Sequence, residues 1–499
     1  MNRSIRRVAL ILGLAFLALF VNLNIVQLGK STELATHPRN RRLLIKEYAT
    51  LRGEMLVGDR VVAESVESGD ETYRFARRYP LGPLYGHITG YYSFFFGAAG
   101  LERSYNDELL GREPATTETL VDELLGRETQ GNVIELTLDH ELQRLARRAL
   151  SGQRGAVAAI DPQTGAVLAL YANPSFDPTP LSKGPVEQQE VQAAWEELNA
   201  DERRPLLFRA TQEAYPPGST FKIVTAAAGL QFGKMTPSTS LPDPSRLSLP
   251  DTNRTLSNFQ NGPCTGGGSI SMATGFRVSC NTTFAQIAMR VGKQNLARMA
   301  ERFGLGSAPD VGIATVASCV VRVPGVGCGN PDDLSRPATA YSGIGQQDVR
   351  VTPLQMAMVA AAVANGGHRI RPYLVQRVLS PEGVPLIETQ PQLSDPIMSQ
   401  KNVKALRQMM IDTVRFGTGA VVGFQRASSG TIGGKTGTAE TGIPGQPPHV
   451  WFVAFAPGIA VAAVVENGGD LGDAATGGRV AGPITRALVD EVMSRGDSS

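Results

Sequence analysis

Apolar residues along this chain fall into several kinds of run, each predicting a different element. From residue 8 to residue 29 no charge interrupts a stretch dominated by Leu, Ala, Phe, Ile and Val, long enough for the ~20 residues that cross a bilayer as a helix. VIELTL at 133–138 alternates as a half-buried strand does. ELQRLARRAL at 141–150 then sets Leu142, Leu145, Ala146 and Ala149 on one helical stripe. GAVAAIDPQTGAVLALY (155–171) places two apolar runs around Asp161-Pro162-Gln163-Thr164-Gly165, and VWFVAFAPGIAVAAVVE (450–466) repeats the design, so both predict hairpins. Between them, residues 223–230 form an unbroken alanine-rich run, a helix hidden on all sides, and Phe284, Ile287, Ala288 and Val291 recur at helical spacing. Strands at both ends of 132–495 with helices between them predict an α+β domain whose one sheet joins its start to its end. Residues 30–131 mix charged turns such as HPRNRR with aromatic patches such as GYYSFFFG and predict a separate accessory domain. Residues 236–270 and 306–336, rich in Pro, Gly and Ser, predict long loops.

Charge and cysteine usage narrow the picture. The 499 residues leave room for two or three domains, and 48 basic against 46 acidic residues give +2, which indicates neither nucleic acid nor an acidic tail. Arg3, Arg6 and Arg7 precede the apolar run. Residues 1–7 are therefore expected in the cytoplasm, 8–29 as a transmembrane anchor, and everything beyond Lys30 outside. Residues 22–30 offer no small-x-small cleavage site, so the anchor is read as uncleaved. An outside location permits disulfides among Cys264, Cys280, Cys319 and Cys328. Three connectivities are possible, the most local pairing Cys264 with Cys280 and Cys319 with Cys328. The five histidines, at 37, 87, 140, 368 and 449, are scattered and form no H-E-x-x-H, so no metal and no cofactor are expected.

Candidate chemistry begins at AYPPGSTFKIVTA (214–226), where Pro216, Pro217 and Gly218 stop whatever precedes and Ser219 and Lys222 open the buried helix. At i and i+3 the hydroxyl and the amine share a face, within reach of a hydrogen bond. An amine there serves as base for the hydroxyl if burial and a second cation lower its pKa. Alone, S-x-x-K reads as a helix cap beside a snorkelling lysine. RVSCNTTFAQIAMRVG (277–292) adds Ser279 and Asn281 just before a helix, and TIGGKTGTAE (431–440) adds Lys435 between Gly-Gly and Thr-Gly-Thr, with the hydroxyls of Thr436 and Thr438 beside Gly437. Each is weak alone. In the order S-x-x-K, S-x-N, K-T-G, behind an anchor, they supply a nucleophile with its base, a proton relay and an anion clamp.

On these motifs the chain resembles the class B penicillin-binding proteins, the peptidoglycan D,D-transpeptidases, and in layout the penicillin-binding protein A type of actinobacteria. RGEM at 52–55, GLERSYNDELLG at 100–111 and IGQQDVRVTPLQMA at 344–357 extend the resemblance over nearly the whole chain. One departure is Gly345-Gln346-Gln347, where the family usually has Gly-Gln-Gly. The resemblance implies a mainly antiparallel sheet with helices on both sides, behind an elongated accessory domain of the dimer type. It implies acylation of Ser219 by the D-Ala-D-Ala end of a donor stem peptide, with Lys222 as base, Ser279 as relay, Asn281 on the substrate backbone and Lys435, Thr436 and Thr438 on its carboxylate. An acceptor stem peptide then resolves the acyl-enzyme, β-lactams acylate the same serine, and a membrane glycosyltransferase of the wall machinery is the expected partner. A carboxypeptidase or β-lactamase-like hydrolase and a catalytically idle wall scaffold are the alternatives. WEELN at 195–199 imitates the E-x-x-L-N of class A β-lactamases but precedes Ser219, and is read as a surface helix.

Overall fold

The structure, a computed structural model, describes residues 3–29, 41–112, 130–425 and 429–496. His37 and most of the HPRNRR turn lie outside the described residues. Helix α1 (Arg3–Asn24) continues as a π-helical turn over Ile25–Gly29. The stretch Ile5–Gln27 is long and apolar enough to cross a membrane, and none of it is buried against the rest of the protein.

Two sheets organise the remainder. In chain order their strands are β1 (Met55–Val57), β2 (Arg60–Glu67), β3 (Phe75–Arg78), β4 (Val133–Leu136), β5 (Gly155–Ile160), β6 (Val167–Asn173), β7 (Val375–Leu379), β8 (Pro385–Glu388), β9 (Gly433–Ala439), β10 (His449–Ala456) and β11 (Ile459–Val465). The five-stranded sheet runs β9-β10-β11-β5-β6 and is antiparallel throughout. Both hairpins form where the paired apolar runs placed them, and β11 pairs with β5 from Ala460↔Ile160 to Val465↔Gly155, joining the end of the region to its start. Helices α2 (His140–Ala149) and α7 (Ala481–Arg495) pack together on one face, and α5 (Pro353–Ala364) covers the other. With both faces covered, β5, β10 and β11 read as continuous apolar runs. Also in the core are α3 (Lys222–Gln231) and α4 (Asn281–Val291), which pack on each other, and α6 (Gln400–Phe416), which lies against β9.

The six-stranded sheet, β8-β7-β4-β1-β2-β3, draws its strands from residues 55–78, 133–136 and 375–388. Behind it lies a buried ion network. Arg52 Nε and Arg77 Nε each donate to Glu102 at 2.6 Å, Arg52 also donates to Asn106 Oδ1 at 2.8 Å, and Tyr79 donates to Glu102 at 3.2 Å. Burial alone would raise the Glu102 carboxyl; Arg77 and Arg52 outweigh it and hold the group below its usual range. The RGEM and GLERSYNDELLG segments meet in this network.

The expectation of long loops at 236–270 and 306–336 needs correction. Ser240–Pro242 pairs with Ser269–Ser271, Arg246–Ser248 with Thr255–Ser257, and Arg322–Val323 with Gly327–Cys328. Ladders of two or three residues bury too few side chains to leave an alternating pattern among the prolines and glycines. WEELN lies on the helix Gln188–Ala200 with Glu196 and Glu197 exposed, as expected.

Candidate active site

Ser219 sits in a 3-10 turn, Gly218–Phe221, that runs directly into α3 at Lys222. Backbone ties hold this turn from behind. Tyr215 and Val351 exchange hydrogen bonds of 2.9 and 2.8 Å, and Gly218 N donates to Gly345 O at 2.9 Å. A Cβ at Gly345 would lie 2.0 Å from the Gly218 carbonyl oxygen, so only glycine fits there. Two residues on, Gln347 takes φ +62°, the left-handed conformation that glycine adopts without cost. A conformation that suits glycine is thus adopted here by a residue whose side chain disfavours it.

The Lys222 amine is completely buried, and three groups from the S-x-N segment meet it. It donates to Ser279 O at 2.7 Å, to Asn281 Oδ1 at 2.7 Å and to Ser279 Oγ at 3.3 Å. Among the described residues no hydrogen bond joins it to the Ser219 hydroxyl, contrary to the expectation from i, i+3 spacing. A buried amine goes where acceptors are, and the S-x-N segment supplies them. Lys435, also fully buried, donates to Ser279 Oγ at 2.8 Å and to Thr436 O at 3.1 Å. Burial lowers the Lys435 amine to about 7. Burial, and then the Lys435 charge, push the Lys222 amine well below the ordinary lysine range. No carboxylate reaches either lysine among the described residues.

Ser279 has an unusual backbone conformation. After the helix Met272–Arg277, Ser279 takes φ +62°, and Cys280 precedes the first residue of α4, Asn281. A left-handed residue after a helix is usually glycine. Here it is a serine whose hydroxyl meets both lysines. Asn258 accepts from the backbone N–H groups of Asn281 and Thr282, each at 3.0 Å, and so caps α4 from the neighbouring ribbon.

The disulfides take the most local pairing, Cys264–Cys280 and Cys319–Cys328. Cys280 is buried behind Ser279 and Asn281, while Cys264 lines the cleft in front of them. Asp243, Cys264 and Cys280 are the described group close enough to share an ion. Its two sulfurs are bonded to each other, and the Asp243 carboxylate is filled by Cys264 N at 2.8 Å and by Thr265 N at 2.7 Å.

A cleft of about 1090 Å³ gathers Ser219, Ser279, Asn281, Thr436 and Thr438 on its walls. Gly437 lies between the two threonines in β9, an edge strand of its sheet. Spacing did not announce Thr418, whose Oγ1 stands 2.8 Å from Thr436 Oγ1 on the same wall. Its signal in the sequence is slight: glycines at 417 and 419 mark a tight approach but not to what.

Comparison with known proteins agrees with this geometry. Residues 155–490 match the penicillin binding protein transpeptidase domain, and residues 52–134 the penicillin binding protein A dimerisation domain. The peptidoglycan D,D-transpeptidase PbpA of Mycolicibacterium smegmatis is 38% identical over 99% of this chain and 100% of its own, and its Mycobacterium tuberculosis counterpart is 36% identical over 99% of both. The structure of penicillin-binding protein A from M. tuberculosis as a ceftriaxone acyl-enzyme complex superposes with a TM-score of 0.80 at 35% identity, covering 89% of this chain and 99% of that one. Its penicillin G acyl-enzyme complex gives 0.79 at 34% identity, covering 89% and 100%. With two buried lysines on one serine, a cleft in front of them, and relatives matched end to end, the chain belongs to the class B penicillin-binding proteins, the family that carries the transpeptidase domain.

Proposed function

We propose that this protein is a serine D,D-transpeptidase that cross-links peptidoglycan stem peptides through an acyl-enzyme on Ser219. The observation that carries the reading is the convergence of Lys222 and Lys435 on Ser279 at the wall of the cleft holding Ser219. A protonated Lys222 uses all three N–H groups on Ser279 O, Ser279 Oγ and Asn281 Oδ1. Once it is neutral, two donors still serve the 2.7 Å contacts, and the lone pair is free to take the Ser219 proton. Ser219 Oγ attacks the carbonyl between the last two D-alanines, the C–N bond breaks, and Ser279 hands a proton to the departing D-alanine amine while taking its replacement from Lys222, which holds the Ser219 proton. The backbone N–H groups of Ser219 and Thr438 hold the oxyanion, a contribution of about 3 kcal/mol per donor. Thr436, Thr438 and the Lys435 cation take the terminal carboxylate, and Thr418 orients Thr436. An acceptor amine then attacks the ester, forming the cross-link and returning the proton to Ser219. A β-lactam offers a similar amide and carboxylate and leaves Ser219 acylated.

The apolar helix anchors the chain, with Arg3, Arg6 and Arg7 in the cytoplasm and both disulfides on the outer face. A membrane glycosyltransferase that supplies the glycan strands is the partner this layout fits. Turnover of a thioester donor with an acceptor amine tests the reading: wild type forms cross-linked product and Ser219→Ala forms none. Hydrolysis without aminolysis at saturating acceptor would make the protein a carboxypeptidase instead.

A further inference from the structure

The turn carrying Ser219 and the strand carrying Thr438 must hold a fixed separation if their N–H groups are to share one oxyanion. They pack closely, yet hydrogen bonds between them are few. A Cβ at Gly218 would lie 2.4 Å from the Thr438 carbonyl oxygen, and one at Gly437 would lie 2.8 Å from the Pro217 carbonyl oxygen. Turn and strand therefore stack closely, backbone on backbone, with the Thr220 methyl of the turn against Gly437. Among the described residues a single hydrogen bond links residues 216–221 to β9 or β10. It runs from Trp451 Nε1 to the Pro216 carbonyl, 2.9 Å. Trp451 stands opposite Gly437 in the β9–β10 ladder and is fully buried. Its indole passes under the strand at the one position of K-T-G that lacks a side chain. The ring is itself held: Tyr215 meets it edge-on at 6.0 Å, and the Tyr215 hydroxyl donates to Glu466 at 2.8 Å, a carboxylate also bound by Arg209 at 2.7 Å.

We infer that Trp451 is a positioning residue for acyl transfer: its indole N–H sets the gap between the nucleophile turn and the K-T-G strand. This rests on the reading of Ser219 as nucleophile. Stacked backbones without a direct bond slide readily, and misplacement by about 1 Å costs on the order of a hundredfold in rate. Carboxylate binding needs only the threonines and Lys435, which the indole does not touch, so affinity and rate separate.

Saturation kinetics of a fluorescent penicillin on the full-length protein give the two constants apart. Trp451→Phe is expected to lower the acylation rate constant tenfold or more and to leave the non-covalent affinity within twofold. Thr485→Val, which removes a buried hydroxyl bonded to Gly482 O in α7, is the control for general loosening and is expected to change neither constant. An unchanged rate constant in Trp451→Phe, or an equal fall in Thr485→Val, overturns the inference. Should Trp451→Phe fail to fold, the benzothienyl analogue of tryptophan, incorporated in a Trp195→Phe background, removes only the N–H, and the same two outcomes decide. Peptide mapping of labelled wild type is a separate measurement. Label away from Ser219 overturns the reading of the site, whereas label on Ser219 with an unaltered rate constant overturns only the role of Trp451.

Discussion

The protein buries two cations in each of two places and treats them in opposite ways. Behind the six-stranded sheet, Arg52 and Arg77 share the Glu102 carboxylate and hold that carboxyl below its usual range. Behind the cleft wall, Lys222 and Lys435 share the Ser279 hydroxyl and otherwise each meet carbonyl oxygens, and burial lowers both amines. Arginine does not give up its proton in a protein, so it needs a counter-ion; a lysine without one becomes a neutral amine. The first arrangement is a structural tie; in the second both amines can lose a proton, Lys222 as the proposed base and Lys435 as the proposed cation for the substrate carboxylate. A buried charge is therefore legible as chemistry only once its partner is known.

The largest test of the contrast removes a base. Lys222→Ala should slow penicillin acylation by about 10³-fold, within the usual range for a general base, while the fold persists. Stopped-flow labelling together with a melting curve checks both, and a near-normal rate would end its assignment as base. Glu102→Gln breaks the other site. It leaves two buried guanidiniums without a counter-ion, for which about 3–5 kcal/mol of stability is expected to be lost. Urea unfolding measures this, and the fraction that stays folded should acylate at the wild-type rate. If acylation fell with stability held, the two regions would be coupled.

The disulfide beside the cleft comes next. Cys264→Ser with Cys280→Ser opens a loop of 16 residues' separation, worth about 3 kcal/mol by chain entropy. Acylation measured where the variant remains folded distinguishes a plain staple, with the rate unchanged, from a brace for Ser279 and Asn281, with the rate reduced. The pH profile sharpens the lysine half of the comparison. Second-order acylation should lose rate as pH rises through about 7, where free Lys435 gives up the charge that receives the substrate carboxylate. At saturation the bound carboxylate raises that pKa, so the falling limb should move to higher pH; a limb fixed in place would show that Lys435 does not meet the carboxylate. For stability the unfolded chain binds more protons between pH 7 and 10, so relief of lysine burial makes the fold more stable as pH rises across that window. The Glu102 contribution is instead full above its ordinary carboxylate pKa and is lost as pH falls through the depressed one. The smallest effect is expected at Gln347→Gly, which should stabilise by about 1 kcal/mol by relieving the left-handed residue. A lowered melting temperature would show that the glutamine side chain outweighs its backbone cost.

Much of this was written in local pattern. The membrane-length run, both hairpins, the sheet that closes start onto end, and the buried helices follow from apolar periodicity, because burial on one face or on two leaves a period that neighbours along the chain must share. The three motifs were legible for the same reason, each being a few adjacent residues. What the sequence could not carry was which individual side chains and backbone groups of distant segments meet. Lys222 leaving Ser219 for Ser279 and Asn281, Thr418 reaching Thr436, the ribbons within the Pro/Gly/Ser-rich loops, and the left-handed Ser279 all depend on which acceptor or backbone stands nearby after folding. So does the contrast between paired arginines and unpaired lysines. A lysine's proton is set by burial and by charges within a few ångströms, and those distances exist only in the tertiary structure.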